Sequence, residues 1–97
     1  MKRYTMAEIA QIAGGKVLYG NPDYLVSGYA IDSRETMPGE VFFAIKGMAT
    51  DGHRFIPQVL EKGCDCLIIS DETKLPEAAK NANVVLVSDA LLALQEL

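Results

Sequence analysis

Apolar and polar positions along the 97-residue chain switch between two periods, and each switch marks an element. Near the start, Ile9, Ile12 and Ala13 recur at helical spacing. They follow Thr5 and Glu8 in the S/T-x-x-E arrangement, in which side chain and backbone cap each other. Gly14-Gly15 closes this helix, because glycine takes the left-handed conformation a helix end often requires. Lys16 to Gly20 reads as a short strand, and Asn21-Pro22-Asp23 as a turn. Leu25 to Ile31 then alternates, with Val26, Gly28 and Ala30 on one face and Leu25, Ser27, Tyr29 and Ile31 on the other. A Pro38-Gly39 turn leads into the most strand-like run, Val41 to Ile45.

The second half has a strand-then-helix rhythm. A helix is predicted from His53 or Arg54 to Lys62, with Pro57 in its first turn, where no N–H is needed, and Gly63 past its end. A strand follows over 66–70, a short helix within 71–82, and a strand over 84–87. A last helix starts at Ser88 or Asp89 and carries Leu91, Leu94 and Gln95 at helical spacing. It reaches Leu97 with no Gly, Pro or cap, so a domain boundary is expected there. This alternation predicts an α/β fold, a small mixed sheet with covering helices, parallel in the second half and antiparallel in the first.

Composition narrows the class. Apolar residues are 49% and charged residues 23%, ordinary for one globular domain. The net charge of −4 argues against nucleic acid as the main partner but leaves room for a local anion site. No apolar run approaches the ~20 residues of a membrane span. No continuous apolar stretch follows the basic start, so a cytoplasmic location is expected. Cys64 and Cys66 read as buried, reduced thiols on one face of a strand. Zinc wants about four ligands, and the chain offers one histidine.

Candidate chemistry sits in two polar segments, each just after a strand. Asp32-Ser33-Arg34 supplies an acceptor, a hydroxyl and a charged fork, a set that suits a phosphate or a sugar hydroxyl. The same residues also suit an ordinary turn, with Asp32 bonding the local backbone and Arg34 pairing with Asp32 or Glu35. The second segment runs from Lys46-Gly47 to Asp51-Gly52-His53 and enters a helix. Glycine lets a backbone approach a ligand closely, and a helix start offers N–H groups to an anion. Asp51 suits a helix cap equally well, and a lone histidine is more often packed or capping than catalytic. If the two strands are neighbours, both segments line one cleft, since ligands of open α/β sheets sit beyond the strands' carboxyl ends. Neither G-x-x-x-x-G-K-[ST] nor G-x-G-x-x-G occurs, so the chain lacks the recognisable parts for ATP-driven chemistry.

The ordered stretch I-D-S-R-x(4)-G-E-V-F-F-A-I-K-G-x(3)-D-G-H-x-F-I, over 31–56, resembles the signature of the amino-terminal domain of the Mur ligases, which build the peptide stem of peptidoglycan. The similarity continues through E-K-G-C and the closing V-S-D-A-L-L-A-L-Q-E-L. Two members share this pattern. One adds D-alanyl-D-alanine to UDP-N-acetylmuramoyl-tripeptide, and the other adds the third stem residue, L-lysine or diaminopimelate. The opening Y-T-M-A-E-I-A-Q-I-A-G-G-K-V-L-Y-G is more similar to the first. The resemblance implies that such a domain binds the UDP part of UDP-N-acetylmuramoyl-peptide. It implies that central and C-terminal domains of the same chain bind ATP with Mg2+ and admit the incoming amine. Residues 1–97 would then hold no cofactor and no catalytic residue, and would be inactive alone. Ser33 and Arg34 would lie near the UDP, with Asp32 fixing their loop. Lys46, Gly47, Asp51, Gly52 and His53 would line the other wall. A different outcome for the same fold is a free-standing interaction module, in which both segments serve only as turns and caps.

Overall fold

A computed structural model describes residues 3–97, and the first two residues of the basic start, Met1 and Lys2, lie outside them. Helix α1 (Met6–Ala13) begins as the sequence predicts. Thr5 Oγ1 accepts from Glu8 N at 3.1 Å, and Thr5 N donates to Glu8 Oε1 at 2.9 Å. Gly14, at φ 69°, ends the helix. The buried face is Met6, Ile9 and Ala10, while Ile12 stays 36% exposed.

Five strands follow: β1 (Lys16–Tyr19), β2 (Gly28–Ala30), β3 (Glu40–Phe43), β4 (Cys66–Ile69) and β5 (Asn83–Leu86). They form one sheet in the order β1-β5-β4-β3-β2. Strands β2 to β5 are parallel and β1 runs antiparallel to β5, so the sheet is mixed. The expected antiparallel first half is corrected here. Only β1 is reversed, because the chain between β2 and β3 makes a long return to the starting edge instead of a hairpin. β2 is also shorter than predicted. Leu25 bridges to Thr5, and Val26 N donates to Tyr4 O, so this part of the run leaves the sheet. Its alternation survives nonetheless, with Val26 buried and Leu25 and Ile31 exposed.

The central strands are buried on both faces, and successive side chains enter opposite cores. Val41, Phe43, Cys66, Ile68 and Val85 pack with α1 and α3 (Ala90–Glu96). Phe42, Leu67, Ile69 and Val84 pack with α2 (Ile56–Glu61) and the 3-10 turn Glu77–Asn81. Cys64 and Cys66 therefore lie in different cores, contrary to the one-face expectation. The strand starts only at Cys66, and Gly63 (φ 85°) turns the chain just before it, so the two-residue period never reaches Cys64. In α3 the buried residues are Ala90 and Ala93, while Leu91 and Leu92 are about half exposed. Asp89 accepts from Leu92 N and sets where the helix begins, and the two small side chains face the core it shares with α1.

Candidate functional site

Parallel pairing of β2 to β5 brings all four carboxyl ends to one edge of the sheet, so the loops after them share that edge. The turn after β2 is built around Asp32. Its Oδ1 accepts from Arg34 N at 2.9 Å and Arg34 Nε at 3.1 Å, and its Oδ2 accepts from the guanidinium at 2.9 Å. Glu35 N and Thr36 Oγ1 both donate to the Asp32 carbonyl. The local-turn geometry is thus present. It leaves Arg34 80% exposed at the side chain, with most of its fork open to solvent. The hydrogen bonds from the Arg34 side chain, then its backbone N–H, hold the Asp32 carboxyl down to about 2. Ser33 is buried at 6% exposure.

The loop after β3 is a small hairpin. Lys46 bridges to Asp51, Gly47 N donates to Thr50 O, and Met48 stands fully exposed near the tip. Gly52 N donates to Ile45 O, and a Cβ at Gly52 would lie 2.8 Å from Ile45 N. This glycine is required by the chain crossing itself. Asp51 Oδ1 accepts from His53 N at 3.0 Å and caps the 3-10 turn Gly52–Phe55. The same oxygen lies 2.6 Å from His53 Nδ1, and Oδ2 accepts from Lys74 Nζ at 2.6 Å. Partial burial pushes the Asp51 carboxyl up, but the bonds from Lys74 and His53 outweigh it and hold the carboxyl well below its usual range.

His53 is 2% exposed, and both ring nitrogens are used inside the protein. Nε2 accepts from Ser70 N at 3.1 Å and Asp71 N at 3.2 Å, which assigns the ring proton to Nδ1, facing Asp51. The ring therefore ties the loop after β3 to the loop after β4.

Ile31, Asp32, Ser33, Arg34, Thr50, Phe55 and Gln58 line an open cleft of about 540 Å³. The first predicted segment thus meets the second at Thr50, the one residue of the second segment in this cleft. Lys46 lies in a separate recess of about 220 Å³ with Ser70, Ser88 and Asp89. Gly47, Asp51, Gly52 and His53 line neither and instead shape the hairpin. Sequence reasoning missed Phe55 and Gln58, whose spacing of three puts them on one side of a helical turn. It also missed Lys62, whose ammonium donates to the carbonyls of Ser33 and Arg34. The cleft offers a guanidinium, a hydroxyl, an amide and an aromatic ring, a set suited to a polar ligand with an anionic part and a flat ring.

Among the described residues no group of three or more His, Cys, Asp or Glu side chains could hold a metal ion, and no helix is long and apolar enough to cross a membrane.

Residues 25–97 match the model of the Mur ligase family, catalytic domain. The UDP-N-acetylmuramoyl-L-alanyl-D-glutamate--2,6-diaminopimelate ligase of Geobacter sulfurreducens is 32% identical over 92 residues, covering 95% of this chain and 18% of that protein. The UDP-N-acetylmuramoyl-tripeptide--D-alanyl-D-alanine ligase of Bacillus subtilis is 33% identical over 100 residues, covering 100% of this chain and 21% of that protein. A crystal structure of MurF from Acinetobacter baumannii superposes with a TM-score of 0.79 at 29% identity, covering 100% of this chain and 20% of the other. The chain thus spans about a fifth of the length of these relatives.

Proposed function

This chain belongs to the Mur ligase family, and we propose that it is the UDP-N-acetylmuramoyl-peptide-binding, amino-terminal domain of a longer, cytoplasmic, ATP-dependent ligase. The observation that carries this reading is the parallel pairing of β2 with β3, which sets the Asp32-Ser33-Arg34 turn and Thr50 on one cleft. Arg34 offers its exposed fork to the diphosphate, and the Ser33 hydroxyl adds a donor. Asp32 holds that fork in place. Thr50 reaches the cleft from the hairpin, whose shape the Lys46–Asp51 bridge, Gly52 and His53 maintain, while Lys46 lies in the neighbouring recess. Domains beyond these residues would hold magnesium and ATP, and ATP would supply the phosphoryl group that activates the substrate carboxylate. The 97 residues themselves bind and orient substrate, and alone they are inactive.

Within the family we assign the parent reaction as addition of D-alanyl-D-alanine to UDP-N-acetylmuramoyl-tripeptide. The Bacillus subtilis relative supports this by aligning along the whole chain, as does the Acinetobacter baumannii structure. The second reading, addition of the third stem residue, is supported by the Geobacter sulfurreducens relative at nearly equal identity. The test is to give the full-length parent ATP, magnesium and two substrate pairs. Joining D-alanyl-D-alanine to the tripeptide precursor supports the first reading. Joining lysine or diaminopimelate to the dipeptide precursor replaces it with the second. Neither product would refute both.

A further inference from the structure

The turn that carries Ser33 and Arg34 is held from outside by a residue 28 positions away. Lys62, the C-cap of α2, donates from Nζ to the carbonyl oxygen of Ser33 at 3.0 Å and of Arg34 at 2.6 Å. Asp32 grips the same turn from the other side, through the backbone N–H and guanidinium of Arg34. Two successive carbonyls converging on one ammonium fix both peptide planes, and with them the direction of the attached side chains. Such bonds are charge-assisted and stronger than neutral ones. Lys62 is not among the residues lining the cleft, and its ammonium meets the turn at the Ser33 and Arg34 carbonyls.

We propose that Lys62 is a positioning residue for the ligand cleft, its ammonium holding the Ser33-Arg34 turn in the conformation that receives the anionic part of the ligand. This rests on the binding reading above. A turn ordered in advance spares the ligand the entropic cost of ordering it. The same contact viewed as mere surface stapling predicts a change in stability alone.

The experiment titrates UDP-N-acetylmuramoyl-tripeptide into the 97-residue chain as wild type, Lys62→Met, Lys62→Arg and Arg34→Ala, following amide NMR signals, with Tm measured in parallel. Lys62→Met should bind about tenfold more weakly, with a Tm within a few degrees of wild type and loss of amide order at Ser33, Arg34 and Glu35. Lys62→Arg, whose fork can reach two carbonyls, should retain affinity to within about threefold. Wild-type affinity in Lys62→Met, an arginine variant as weak as the methionine one, or an unfolded Lys62→Met overturns the positioning role. If Arg34→Ala loses binding while Lys62→Met keeps it, the binding reading stands and only this inference falls. If the wild type does not bind, the binding reading fails and takes this inference with it.

Discussion

Replacing His53 by leucine should destabilise the fold where the two loops are tied together. The exchange keeps a buried apolar body but deletes the acceptor for Ser70 N and Asp71 N and the donor facing Asp51. An orphaned buried donor costs about 1–3 kcal/mol. Ser70 and Asp71 are only partly buried, so water reaches them and the low end applies to each. Losing the Asp51 contact costs about 1 kcal/mol more. Added apolar burial returns about 1 kcal/mol. The expected net loss is about 2–3 kcal/mol, or a Tm lowered by roughly 10–20 °C for a domain of this size. Urea unfolding followed by far-UV circular dichroism gives the value directly, with an unchanged m. The contrasting variant is Lys74→Met, which removes the other partner of Asp51. The Lys74 side chain is 44% exposed, so this loss should stay under about 1 kcal/mol. A His53→Leu loss below about 1 kcal/mol, or one no larger than that of Lys74→Met, would refute the view that the ring's two nitrogens hold the loops.

Three further outcomes are expected. Gly52→Ala places a Cβ 2.8 Å from Ile45 N and 3.0 Å from Ile45 O, both backbone atoms, so it should destabilise by about 2 kcal/mol or more in the same unfolding assay. Burial, then the neighbouring Asp65 charge, pushes the Cys66 thiol up to about 12. Only about 1 in 10,000 molecules then carries the thiolate at pH 8, so mass spectrometry should find Cys66 unmodified by iodoacetamide until urea unfolds the chain. Asp32 and Asp51 have carboxyls depressed by folding, so their stabilisation is complete above the unfolded value of ~4 and is lost as pH falls through that value toward about 2 for Asp32. Tm against pH should fall below about pH 4 in the wild type, and Asp51→Asn should start lower at neutral pH and fall less.

Much of the fold was legible because its signals are local. The Thr5–Glu8 box, Gly14 and Gly63 mark helix ends through short-range backbone chemistry, and the structure uses each of them that way. The apolar runs at 41–45, 66–70 and 84–87 mark central strands by their composition, and all three form strands. Direction was harder to read. Whether β2 meets β3 parallel or antiparallel depends on where the intervening chain travels, and residue types do not state that. Short-range phase also misled. Of the residues at helical spacing in α3, Leu94 packs against the core while Leu91 is about half exposed, and Ala90 and Ala93 fill the inner side. The two candidate segments were found because polar residues directly after strands are informative in an α/β sheet. Phe55, Gln58 and Lys62 were missed because their positions are ordinary for a helix, and only tertiary packing brings them to the turn after β2. His53 was read as a lone residue. Its partners, Ser70 N and Asp71 N, are backbone groups and so carry no sequence signal.

Amide NMR of the labelled 97-residue chain, titrated with UDP-N-acetylmuramoyl-tripeptide and separately with UDP, decides whether a nucleotide sugar sits between the two loops. Shifts should concentrate at Ser33, Arg34, Thr50, Phe55 and Gln58, extend to Lys46 and Gly47, and leave Leu91 and Leu92 on α3 unmoved. Silence at millimolar ligand, or shifts centred on α3, would contradict a nucleotide-sugar site at the carboxyl ends of β2 and β3.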